Sequence, residues 1–245
     1  MSQGIVIAEQ DILHHIKLSN RLPSIIDEVV RLKIIKSNAT ELGIEISTEE
    51  LQKTADYLRI AQKLTSSDET WKWLHHHGMS LDDFEESIYN LVVTTKLAQH
   101  LFTEQIEAFF YENQLNYSSV SIHEIVLEDE DLAMELFFAI AEGEISFSEV
   151  AQQYIQDTEL KRCGGYRAKL SRQELKAEIA VAIYACEPPQ LLKPVLTSKG
   201  VHLIFVDEII QPQLDEKLRE KILLELFMQW LEQQVSEVTV TREFN

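Results

Sequence analysis

The hydrophobic spacing of this chain changes period at Tyr117, and that change fixes its class. From Gln3 to Asn113 the apolar residues recur at helical spacing. After Tyr117, Val120, Ile122, Glu124 and Val126 alternate with Ser121, His123, Ile125 and Leu127, which is the two-residue period of a strand. Helices gathered in one half and strands in the other make an α+β protein.

The helical half is punctuated by its own caps. Pro23-Ser24 opens a helix whose face is Ile25, Ile26, Val29, Val30, Ile34 and Ile35, and Gly43 closes it. Ser47-x-x-Glu50, Ser66-x-x-Glu69 and Ser80-x-x-Asp83 each have the form of a capping box. The last starts a long segment with Phe84, Ile88, Leu91, Val92, Leu101, Phe102, Ile106 and Phe109 inward. The triplet His75-His76-His77 is no chelate, because consecutive helical residues point about 100° apart. It reads as a solvated helix end before Gly78.

Beyond the strand at 120–127, a helix through Leu132, Leu136, Phe137 and Ile140 ends at Gly143, and Ser146-x-x-Glu149 caps a second. Residues 156–170 contain Gly164-Gly165, have no periodicity and read as a loop. Ser171-x-x-Glu174 caps a further helix carrying Leu175, Ile179 and Ile183. Pro194 to Val206 then reads as strand, tight turn and strand, with Gly200 supplying the turn. After Pro212, Leu214, Leu218, Ile222, Leu226, Phe227, Trp230 and Leu231 give a last helix an apolar face too wide to leave in water. The predicted organisation is a helical domain at 1–116, a β-α-α-loop-α-β-β domain at 117–210, and a helix at 211–245 that returns to the helical domain.

Composition narrows the function. A chain of 245 residues that is 45% hydrophobic is long enough to bury a core. A net charge of −19 argues against nucleic acid and against a polyanionic membrane surface, both of which call for an excess of Lys and Arg. The two cysteines, Cys163 and Cys186, form no C-x-x-C pair, so neither a metal site nor a redox motif is indicated, and no cofactor is expected. No run approaches the ~20 apolar residues of a membrane span. The first residues lack the basic and apolar regions of a signal peptide, so the expectation is a cytoplasmic protein.

Tyr154-Ile155-Gln156-Asp157 before Gly164-Gly165, and Lys193-Pro194-Val195-x-Thr197-x-x-Gly200-Val201-His202, together resemble the parvulin-type prolyl isomerases. The resemblance covers residues 117–210 and runs without a gap from Leu175 to Ile204. Helical segments on both sides of such a unit, with the phrase Glu41-Leu42-Gly43-Ile44-Glu45-Ile46-Ser47, are similar to SurA-type chaperones. The resemblance implies a peptidyl-prolyl cis-trans isomerase or foldase. Its clients would be unfolded, proline-containing or secretory polypeptides, with a secretion apparatus as a candidate partner. It places His202, Asp157 and Glu124 at a polar centre and Leu175, Ile179, Tyr184 and Thr197 around the substrate.

The chain also departs from the family pattern. Glu124 stands where parvulins carry a first-strand histidine, and His123, one place early, faces the other side. Arg167 replaces the leucine of the proline pocket. Glu128-Asp129-Glu130-Asp131 fill the loop that is basic in phosphoserine-specific members. Each site residue has a plainer structural alternative. His202 reads alternatively as a satisfied core histidine, Asp157 as a helix cap and Thr197 as a hairpin residue. Leu175, Ile179 and Tyr184 read alternatively as ordinary helical core. If chemistry is lost, a parvulin-framed chaperone or peptide-binding module remains.

Overall fold

Four of the five Ser-x-x-acid boxes close as reciprocal helix caps in the computed structural model, which describes residues 5–242. The fifth, at Ser171, is corrected: Glu174 bonds back to Ser171, but the box opens a 3-10 turn at Arg172–Glu174, and the helix with Ile179 and Ile183 starts separately at Ala177. The first helices are α1 (Glu9–Leu18), α2 (Leu22–Glu41), α3 (Thr48–Ala61), α4 (Ser67–His77) and α5 (Leu81–Phe102). The apolar face expected to continue to Phe109 is broken after Phe102. A 3-10 turn at Thr103–Gln105 intervenes before α6 (Ile106–Glu112) and α7 (Gln114–Tyr117). Thr103 Oγ1 donates to the Gln99 carbonyl at 2.6 Å, and Gln105 Nε2 to that of Leu101 at 2.9 Å. Side chains bonded four residues back in this way bend a helix.

The sheet unit follows as β1 (Ser119–Leu127), α8 (Glu130–Ala141), α9 (Phe147–Tyr154), α10 (Thr158–Arg162), β2 (Tyr166–Ser171), α11 (Ala177–Tyr184), β3 (Gln190–Leu191), β4 (Val195–Thr197) and β5 (Gly200–Ile210). The sheet is antiparallel in the order β2-β1-β5-β3, with β4 also paired to β5. One face, with Ile125, Leu127, Val201 and Leu203, is covered by Ala133 and Leu136 of α8 and Val150 and Ala151 of α9. The other, with Val120, Ile122, Ile204 and Val206, is covered by Ile179 and Ile183 of α11.

Two elements correct the loop read at 156–170, which holds both α10 and β2. The strand was hidden because it lies at the sheet edge with Tyr166, Arg167, Ala168 and Lys169 exposed. Charged side chains blunt an edge strand against further pairing and remove the apolar alternation that betrays it. Gly165 sets how closely this edge approaches β1. Its φ is +78°, and a Cβ there would lie 2.7 Å from the Glu124 carbonyl oxygen. The Glu124 N–H donates to the Gly165 carbonyl at 2.9 Å.

The chain divides into two compact units. One runs to Ile106 and resumes at Glu216; the other is Glu107–Asp215. The first boundary therefore falls about ten residues before the expected 116/117. Within the sheet unit the Ser118 hydroxyl donates to the Leu115 carbonyl at 2.6 Å and shares a 2.7 Å hydrogen bond with the Tyr184 hydroxyl. That tie fastens α7 to the sheet unit.

In the helical unit, α12 (Glu216–Glu237) buries Phe227 and Leu231 against Ile34, Ile35 and Ala39 of α2 and Val93, Leu97, Ala98 and Phe102 of α5. Trp230 lies over Phe227, ring centroids 5.5 Å apart, and meets Phe102 edge-on at 6.4 Å. All three tryptophans, Trp71, Trp73 and Trp230, belong to this unit, so tryptophan fluorescence follows its unfolding alone. Phe227→Ala is expected to lower the stability of this unit by about 3–5 kcal/mol in a fluorescence-monitored urea titration. A change within experimental error would show that α12 does not help to hold the unit together.

Candidate functional site

A line of polar side chains crosses the α11 face of the sheet, one from each of four strands. Four polar or charged residues are buried among those described, namely Ser118, Ser121, Glu124 and His202. Glu124 and His202 are 7% and 3% exposed and are bonded to each other. Strand register brings them together. Glu124 pairs with Ile204, and His202 is the next residue of β5 on the same face. Such diagonal neighbours lie within reach of long side chains. Arg167 of β2 is diagonal to Glu124 on one side, and Thr197 of β4 is diagonal to His202 on the other.

The hydrogen bonds run along this line. Arg167 Nη1 donates to Glu124 Oε2. Glu124 Oε1 lies 2.7 Å from His202 Nδ1, and His202 Nε2 lies 2.8 Å from Thr197 Oγ1. The carboxylate has no hydrogen to give, so Nδ1 is assigned the proton. Thr197 Oγ1 already accepts from Lys199 N at 3.1 Å and Lys176 Nζ at 3.2 Å. Its own hydrogen is then assigned to His202 Nε2 in preference to the Gly200 carbonyl at 3.4 Å, so both carboxylate oxygens of Glu124 and both ring nitrogens of His202 have partners.

Burial is the largest single influence on the Glu124 carboxyl and pushes its pKa up. The hydrogen bonds and charges of His202 and Arg167 outweigh it and hold the group below its ordinary value of 4.5. Removing the imidazole takes a hydrogen bond from a buried carboxylate, which costs roughly 1.5–3 kcal/mol. Arg167 is 41% exposed on its side chain, so its share is smaller than that of the inner pair.

The remaining residues named from the sequence divide. Leu175, just before α11, and Val195, paired with His202, both stay partly exposed and pack against the same core layer. Ile179, 3% exposed, is a core residue behind them. Tyr184 also belongs to the packing of this layer. Its hydroxyl is taken by Ser118, and the Arg172 guanidinium lies 5.3 Å over its ring. Asp157 is corrected to a cap. It is exposed, its Oδ1 accepts from Leu160 N at 2.8 Å at the start of α10, and it makes no hydrogen bond to Glu124 or His202. His123 does face the opposite side, where Nδ1 meets the Gly164 carbonyl at 2.9 Å and the ring lies among Tyr166, Phe147 and Phe205.

Two members were missed as partners. Arg167 registered in the sequence only as the loss of a pocket leucine, and Lys176 not at all. The signal for Arg167 was available in principle, since a buried carboxylate demands a counter-charge. Finding it required the register of a strand that had not been recognised.

The rotamase family of PPIC-type PPIase domains matches residues 127–208. That span holds His202, Thr197, Arg167 and Lys176, and Glu124 lies just before it. The chain is 24% identical over 207 residues to the foldase protein PrsA of Halalkalibacterium halodurans, covering 81% of this chain and 61% of that relative. It is 22% identical over 226 residues to PrsA of Oceanobacillus iheyensis, covering 91% of this chain and 72% of the relative. The crystal structure of the peptidylprolyl isomerase PrsA from Bacillus cereus superposes with a TM-score of 0.55 at 22% identity, covering 97% of this chain and 91% of that one.

The depressed Glu124 pKa makes a signed prediction. A lowered folded-state value contributes stability that is present above the unfolded value of about 4.5 and is lost as pH falls through the folded one. The protection of β1 and β5 amides, taken relative to the intrinsic exchange rate at each pH, should therefore fall on acidification below about pH 4.5, and Glu124→Gln should flatten that acid limb. An unchanged acid limb in Glu124→Gln would remove Glu124 from the account. Sequence match and shared fold converge: residues 127–208 match the rotamase family of PPIC-type PPIase domains, in a chain whose fold is similar to that of PrsA.

Proposed function

We propose that this chain is a peptidyl-prolyl cis-trans isomerase that serves as a foldase for polypeptide clients, and that the Arg167–Glu124–His202–Thr197 line is its working centre. The observation that carries the reading is this line, three of whose four members fall within the PPIC-type match, on the sheet layer that also carries partly exposed Leu175 and Val195.

Isomerisation makes and breaks no covalent bond. Its barrier of about 18–20 kcal/mol is amide resonance, so a catalyst needs only to hold the twisted amide better than the planar one. Leu175 and Val195 offer the pyrrolidine ring an apolar seat. The donor at the surface of the line, the Arg167 guanidinium, meets a carbonyl that flanks the rotating bond. His202 and Glu124 touch no substrate in this scheme. They are positioning residues that fix Thr197 on one side and Arg167 on the other.

Exchange spectroscopy on a proline-containing peptide tests the reading. The wild-type protein is expected to accelerate cis-trans exchange, and His202→Ala to lose roughly ten- to a hundredfold of that acceleration through misplacement of the donor. A wild-type protein that leaves the exchange rate unchanged would overturn the isomerase and leave a peptide-binding module on the same frame.

Two finer parts belong to the same proposal. The clients include chains on their way to a secretion apparatus, and the protein works in the cytoplasm. Free thiols at Cys163 and Cys186 agree with a reducing compartment, and cell fractionation tests the location.

A further inference from the structure

Charge in the sheet unit is unevenly distributed. From Glu107 to Leu160 there is no Lys or Arg, whereas Lys161 to Lys199 holds eight of them against three acids. That basic segment contains β2, α11 and β4, the elements that carry the proposed working centre. Within it Lys176 stands out. Its ammonium meets two neutral hydroxyls, Thr197 Oγ1 at 3.2 Å and Ser198 Oγ at 2.8 Å, and makes no ion pair. An ammonium has three donors, so one remains for a ligand.

Glu178, in the first turn of α11, is exposed and forms no ion pair with Lys176, and two other nearby acids are engaged elsewhere. Glu124 is held by Arg167 and His202. Glu174 is bound to the backbone and hydroxyl of Ser171 at 2.8 and 2.6 Å. Lys176 is also the residue that precedes α11, and no side chain caps that helix. The free N–H groups of a helix start attract negative charge, in the same sense as the ammonium beside them.

We propose that Lys176 is a specificity-determining residue that binds the carboxylate of an acidic residue flanking the client proline. The proposal rests on the isomerase reading above and names its substrate class. Lys176 follows Leu175 directly, so in this scheme its ammonium is offered to the residues that flank a proline seated there. The net charge of −19 does not forbid this, because it acts at range and is screened beyond about 8 Å at physiological salt. The field at the site is set by the nearby cations.

The test compares three peptides of one length centred on Glu-Pro-Glu, Ala-Pro-Ala and Lys-Pro-Lys, using the full chain. Exchange rates should fall in that order, with steps of roughly three- to tenfold that shrink in high salt. Lys176→Gln should level the series and Lys176→Glu should reverse it. Equal rates for all three peptides, or an order that survives both substitutions, would overturn the proposal and leave the isomerase standing. If no peptide is turned over, the isomerase reading fails instead. The preference is then read from amide-shift titrations with the same peptides, where equal affinities would overturn it.

Discussion

A buried carboxylate organises the sheet unit of this protein. Glu124 sits in the second strand of an antiparallel sheet, below a helix that covers the same face with isoleucines. Taking such a charge from water costs several kcal/mol unless it is paired and hydrogen-bonded. The fold meets that requirement from both sides, with Arg167 on the edge strand and His202 on the central one. Register, edge position and hairpin geometry all serve that arrangement. Gly165 lets the edge strand start against the Glu124 backbone, and the β4–β5 hairpin delivers Thr197 to the outer nitrogen of His202.

The same arrangement explains how a site can stand where the family's first-strand histidine has become a glutamate. A carboxylate accepts two hydrogen bonds in opposite directions and so joins β2 to β5 through one side chain. The outcome is a centre whose inner members are sealed and whose surface is cationic. In the proposed scheme, chemistry at such a surface falls to Arg167 and Thr197, with the imidazole and carboxylate acting as their support. Tyr184 and Ile179 stabilise the layer beneath.

What the sequence disclosed depended on whether the controlling interaction was local. Capping boxes at Ser47, Ser66, Ser80 and Ser146 were legible because donor and acceptor lie three residues apart. The hairpin at 194–206 was legible for the same reason, with alternation on each arm and glycine at the turn. The edge strand β2 was not, because its exposed charges carry no two-residue apolar period. Losing β2 also hid the partner of Glu124, which appears only when Ile122 is set opposite Arg167. Asp157 shows the reverse failure. A motif match identifies the residue type, but the direction of its carboxylate is set by the N–H of Leu160.

The central claim is that Glu124 and His202 act as one unit on which the sheet and the site both depend. A double-mutant cycle measures this directly, from the stability of the sheet unit in Glu124→Ala, His202→Ala and the double variant, followed by amide exchange. The account predicts strong non-additivity, with a coupling of about 1–3 kcal/mol, because the second substitution removes a group that the first has already stranded. Additive losses, with a coupling near zero, would show two independent buried groups and contradict the account.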